Sequence, residues 1–177
     1  RIVKHGRSYN DPITAIDWQV ADAERPWLPK GLLLGPNAEA AMEDDQFVAL
    51  SRAEYTRLCA AGLWLEGLLI NRVTGSGLIG LETEEARVML QEIREETGHS
   101  LMFLEMIDRA GHDDRPRLAG TSLLNAIAKR LRIETAEFWA MVFIGETVTD
   151  TFAMKALKLS KAADDPICPV AEQVLAL

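Results

Sequence analysis

Glu96-Thr97-Gly98-His99-Ser100-Leu101-Met102-Phe103 lies inside a long stretch of helical apolar spacing, and its reading decides the fold. In a helix, positions i and i+3 are about 60° apart around the axis and about 4.5 Å apart along it. Glu96 and His99 therefore project from one face. The inward stripe there is Met89, Ile93, Glu96, Ser100, Phe103 and Ile107, with His99 beside it. An ionised carboxylate on such a stripe is expensive unless it is paired or bound to a cation.

Working outward, Thr83-Glu84-Glu85 gives this helix an acidic first turn, which suits the positive end of the helix dipole. It should run to about Arg109, where Gly111 and Asp113-Asp114 stop it. Upstream, Tyr55, Cys59, Gly62, Leu63, Leu69, Ile70 and Val73 predict a helix over about 44–72, ended by Val73-Thr74-Gly75-Ser76-Gly77. Glu66 interrupts its apolar stripe. Downstream, Phe138, Val142, Gly145, Thr149, Phe152 and Ala156 predict a third long helix over about 135–161, with Glu146 beside Gly145. A shorter helix is expected near 122–131. Pro169 suits a helix start, and Val170 to Leu177 reads as an amphipathic helix cut off after two turns.

Residues 1–43 read as an irregular arm, because Pro12, Pro26, Pro29 and Pro36 keep the residues before them out of the helical region. Trp18, Trp27 and Leu32 to Leu34 are its expected anchors on the helices. Strand signals are weak throughout, so the fold class is all-α. A single domain is expected over 1–177, and a first residue other than Met predicts an incomplete or processed N-terminus.

Composition excludes several classes. Of 177 residues, 26% are charged and 48% apolar, a balance of globular chains rather than disordered ones. The net charge is −8, and the basic run Lys129-Arg130-Leu131-Arg132 reads as a solvated helix face. Nucleic acid is rejected as a partner. No apolar run reaches the ~18 to 20 residues of a membrane span. Two cysteines, Cys59 and Cys168, make no disulfide framework, so the expected compartment is the cytoplasm. Cys59 reads as a small core residue.

Three long helices thus each carry a carboxylate on or beside the apolar stripe, and one adds a His three residues later. A Glu from each of two helices plus Glu-x-x-His from each of two others is how a four-helix bundle holds two irons or manganeses. Carboxylate oxygens and imidazole suit those metals, and the absence of Cys ligands argues against a structural zinc site. The metal candidates are Glu66, Glu96, His99 and Glu146. No catalytic residue is expected beyond these ligands. Asp150, four residues after Glu146, is either an acceptor orienting a ligating His or a surface acid. Glu92, four residues before Glu96, is either a support behind the ligands or an exposed salt-bridging acid, Glu95 reads as a surface acid, His112 as a surface turn residue, and His5 receives no role. Trp64, Phe103, Trp139 and Phe152 are pocket walls or core.

Five segments carry a resemblance. Ile16-Asp17-Trp18, Trp27-Leu28-Pro29, Leu50-Ser51-Arg52-Ala53-Glu54, Gly62-Leu63-Trp64-Leu65-Glu66 and Glu96 to Phe103 resemble the di-iron N-oxygenases typified by p-aminobenzoate N-oxygenase. The likeness runs in order from about Ile13 to Leu177. It implies a ferritin-like bundle, two iron ions with manganese as a substitute, O₂ as oxidant, an electron donor and a homodimer. It implies oxidation of an amine, above all an arylamine, to a hydroxylamine or nitro product in secondary metabolism such as antibiotic biosynthesis. Glu66, Glu96, His99 and Glu146 match the ligands of the first three helices. The family's fourth helix adds a His and a second Glu-x-x-His, expected to follow Leu177. The chain therefore holds four of seven expected ligands, with the fourth ligand-bearing helix cut off. Gly98 also departs from the family pattern, where a larger residue is commoner. Two alternatives remain: a di-iron hydroxylase or desaturase acting on a C–H bond, and a non-catalytic metal-binding bundle. Without metal, Glu66, Glu96 and Glu146 would repel one another, so at least one should be protonated or turned away.

Overall fold

The computed structural model describes residues 9, 11–20, 24–34, 42–75, 78–111, 122, 126, 130, 135–162 and 166–177. The helices are α1 (Pro12–Ala15), α2 (Lys30–Leu33), α3 (Asp44–Gly75), α4 (Thr83–Arg109), α5 (Ala136–Ala162) and α6 (Pro169–Leu175), with a 3₁₀ turn at Leu78–Gly80. No strand occurs among the described residues, and the molecule is an all-α, ferritin-like helical bundle.

Local chemistry sets these boundaries. Asp44 and Asp45 lie in the first turn of α3, and Glu84 and Glu85 in that of α4. Their charges complement the unpaired N–H groups there. α4 ends where Gly111 takes a φ of 67°, a left-handed conformation that glycine adopts without a Cβ penalty. Pro169 occupies the first turn of α6, where a missing N–H costs nothing. α3 continues to Gly75, one turn beyond the expected end. The short helix expected near 122–131 lies outside the described residues except at Ser122 and Ala126, which are helical, and Arg130, which is in a turn. His5 and His112 also lie outside them.

α3 is the central helix. α4 packs antiparallel to it: Gly62 meets Phe103, and one turn further along α3, Glu66 meets His99. α5 packs antiparallel on another side, with Leu65 against Gly145 and with Leu69 and Val73 clustered with Phe138 and Val142. Among the described residues, most of the buried apolar side chains fall into two clusters. One holds Leu69, Val73, Phe138 and Val142, with Met89, Ile93 and Met141 against it. The other joins Tyr55, Cys59, Met102, Met106 and Ala156 to the arm and to α6.

Among its described residues the arm is irregular apart from two one-turn helices, and these residues are well anchored. Trp27 and Leu28 are buried, Trp27 stacks edge-on against Tyr55, and the Trp27 N–H donates to Ser51 Oγ at 3.1 Å. Burying two side chains of this size contributes about 1.5–3 kcal/mol each. The Asp17 N–H donates to Gln173 Oε1 at 2.8 Å, and the Cys168 N–H to the Pro26 carbonyl at 2.7 Å. The arm thus ties α6 to the body. On α5, Phe143, Ile144, Val148 and Met154 remain exposed. Among the described residues, no helix is long and apolar enough to cross a membrane.

Candidate metal centre

The two apolar clusters leave a polar layer between them. Glu66 falls between Leu63 of one cluster and Leu69 of the other, and Glu96 between Ile93 and Phe103. Continuous helices carry both stripes through this layer, so the carboxylates are brought together by the packing above and below them.

Glu66, Glu96 and His99 each offer a ligand atom within 4.8 Å of the other two. His99 Nδ1 lies 3.2 Å from Glu96 Oε2 and 3.8 Å from Glu66 Oε1. The side chains of Glu66 and Glu96 are only 14% and 11% exposed, while that of His99 is 38% exposed. Both carboxylates are therefore largely covered, and the layer is reachable past the imidazole.

Two buried carboxylates at hydrogen-bond distance cannot both ionise cheaply. Burial, the hydrogen bond to Glu96 and the charges of Glu96 and Glu146 push the Glu66 carboxyl up to about 9. Burial also opposes ionisation of Glu96, but hydrogen bonds from His99 and Glu66 outweigh it and hold Glu96 below its ordinary value. The same bond to Glu96 raises His99 above its ordinary value, against the effect of its burial. The pair thus favours a single proton, with Glu66 the carboxyl that resists ionisation. That proton marks where positive charge is wanted. Two carboxylates and an imidazole closing on one small volume form a donor set for a hard or borderline divalent cation.

Glu146 is placed differently. It is exposed on α5 and does not join the three-residue cluster, although its charge is felt at both Glu66 and His99. Asp150, one turn further along α5, is exposed as well. Glu95 is exposed and Glu92 half-buried. Of the aromatic candidates, Phe103 packs into the core between α3 and α4, Phe152 and Trp64 are half-buried, and Trp139 stands edge-on to Phe138 at the surface.

Two features were not expected from sequence. Tyr9 reaches α4 behind the site: its hydroxyl donates to the Arg94 carbonyl at 3.4 Å, and the Arg94 guanidinium stacks 4.2 Å from its ring centre. Met102 and Met106 are buried on a second face of α4, under the arm. Their apolar character is the only sequence signal, and it lies off the stripe that contains Glu96.

A family model described as P-aminobenzoate N-oxygenase AurF matches residues 4–177. No curated protein and no solved structure gave a significant match.

Proposed function

The chain belongs to the P-aminobenzoate N-oxygenase AurF family, and we propose on that premise that it is an O₂-dependent di-iron oxygenase of an amine, above all of an arylamine. The observation that supports this most is the convergence of Glu66, Glu96 and His99 in a layer closed by apolar residues above and below. Iron held there, with manganese as a substitute, supplies the activation of O₂. Glu66, Glu96 and His99 are the proposed ligands on α3 and α4. Glu146 is the proposed ligand from α5, a reading supported by the effect of its charge at Glu66 and His99. Asp150 is proposed as the acceptor that orients a ligating imidazole.

The protein's own groups do the rest. The Glu66 proton leaves when a cation enters, so loading is coupled to proton release. Apolar neighbours, including Phe103 and Leu69, keep bulk water from the carboxylates. Oxidation of an amine to a hydroxylamine consumes one O₂, two electrons and two protons, and releases one water. A separate electron donor is therefore part of the proposal, as is a homodimer.

The test is turnover. Protein loaded anaerobically with Fe(II) is exposed to O₂, a chemical reductant and a panel of arylamines including p-aminobenzoate, with products read by mass spectrometry. A hydroxylamine or nitro product that disappears in Glu96→Ala is the expected result. Products oxidised only at carbon would replace N-oxygenation with C–H hydroxylation. Iron binding with no product from any amine would leave a metal-binding bundle.

A further inference from the structure

Two glycines beside the candidate ligands are filled by side chains from a neighbouring helix. Gly62 lies one turn before Glu66. A Cβ added to it would stand 2.5, 2.9 and 2.9 Å from Cε2, Cδ2 and Cζ of Phe103. Gly145 immediately precedes Glu146, and a Cβ there would stand 2.8 Å from Cδ2 of Leu65, the residue before Glu66. Gly67, which follows Glu66, has nothing within 4 Å of its would-be Cβ. Close approach is therefore not a general property of glycine in this helix. In α3 it occurs at Gly62, where α4 comes near.

The two contacts differ in stiffness. At Gly145 a leucine methyl can turn aside. At Gly62 the edge of a whole aromatic ring lies on the bare Cα, and Phe103 is itself packed against the buried cluster of Tyr55, Cys59 and Met102. A methyl at Gly62 therefore drives α3 and α4 apart. Phe103 stands one turn after His99, and Gly62 one turn before Glu66. In the antiparallel pair, the ring contact is thus one turn from the Glu66–His99 contact of 3.8 Å. An interior packed as densely as a crystal transmits such a displacement over that distance.

We infer that Gly62 is a positioning residue of the metal centre: Phe103 seated on it sets the spacing of α3 and α4, and thereby brings Glu66 within reach of Glu96 and His99. This rests on the metal reading given above. The Gly145–Leu65 contact does the same, more softly, for α5 and Glu146.

The experiment is a Co(II) titration of the natural full-length protein, read by absorption and by calorimetry, with far-UV circular dichroism as the folding check. Gly62→Ala should weaken Co(II) binding by about tenfold or more, the scale seen when the supports of metal ligands are disturbed. Gly62→Ala/Phe103→Leu, which shortens the intruding side chain, should recover most of the loss. Gly67→Ala should bind as the parent does. Phe103→Trp crowds the same contact from the α4 side and keeps the test decisive should Gly62→Ala not fold: weakened binding supports the inference, unchanged binding overturns it. A folded Gly62→Ala that binds like the parent, or whose loss the double variant does not recover, also overturns it. A parent that takes up no metal overturns the metal reading and this inference together, whereas a loaded parent with an unaffected Gly62→Ala overturns this inference alone.

Discussion

Replacing Glu66 by glutamine separates the two demands made on that position. The Glu66 carboxyl, pushed up to about 9 by burial and by Glu96, already carries a proton near neutral pH in the metal-free protein. Glutamine supplies a neutral group of the same shape. Metal-free Glu66→Gln should therefore melt above the parent at pH 8, and at the parent's temperature near pH 4.5, in parallel thermal scans. On the proposed ligand set its Co(II) affinity should fall by more than about tenfold, since a ligand matters at least as much as its supports. Gly98→Ala makes the opposite case, in which a better helix former destabilises. A Cβ at Gly98 would stand 2.5 Å from the Tyr9 hydroxyl and 2.9 Å from Pro12 Cδ. Alanine gains about 1 kcal/mol in helix propensity, but overpacking costs about 1–3 kcal/mol. The net expectation is a loss, read by urea unfolding, that shrinks in a Tyr9→Ala background.

At the scale of elements, α4 was the most legible. Its acidic first turn and the glycine beyond its end fall where Thr83 and Gly111 place them. Of the stripe containing Glu96, Glu96 and Ile107 are buried and Met89, Ile93, Ser100 and Phe103 are partly buried, so its spacing marks a face that packs on its neighbours. The second buried face, with Met102 and Met106, was hidden. It faces the arm, and the arm packs through isolated residues such as Ile16, Trp27 and Leu28 that have no period of their own. Met106→Ala should accordingly cost about 2–5 kcal/mol in chemical unfolding, the range for emptying a packed core site, although no amphipathic pattern marks the residue. Glu146 shows a related limit. Adjacent positions on a helix are 100° apart, so half-buried Gly145 and exposed Glu146 lie on different faces although one stripe reading covers both.

At the scale of the whole molecule, the carboxylate–histidine layer should make metal-free and metal-loaded protein respond to pH in opposite ways. The folded protein keeps a proton on Glu66 up to about 9, whereas the unfolded chain releases it near 4.5. Across that window the unfolded state binds fewer protons, so metal-free stability falls as pH rises. His99 acts in the same sense: its value is raised, so its contribution is complete below 6.5 and is lost as pH climbs through the folded value. Glu96 is lowered, and its contribution is lost only as pH drops below 4.5 towards the folded value. Metal-free protein should therefore be most stable in mild acid and decline steadily towards pH 9. A cation needs both carboxylates ionised and the imidazole neutral, so its affinity rises with pH. Binding to the folded state alone adds about 2.7 kcal/mol at a free metal concentration of 100 times Kd. The melting-temperature gap between Co(II)-loaded and metal-free protein should thus widen from pH 6 to pH 8, and Glu66→Gln should flatten the metal-free curve. A gap independent of pH would mean that the ligand protons do not leave on loading, and would remove Glu66 from the metal's first contacts.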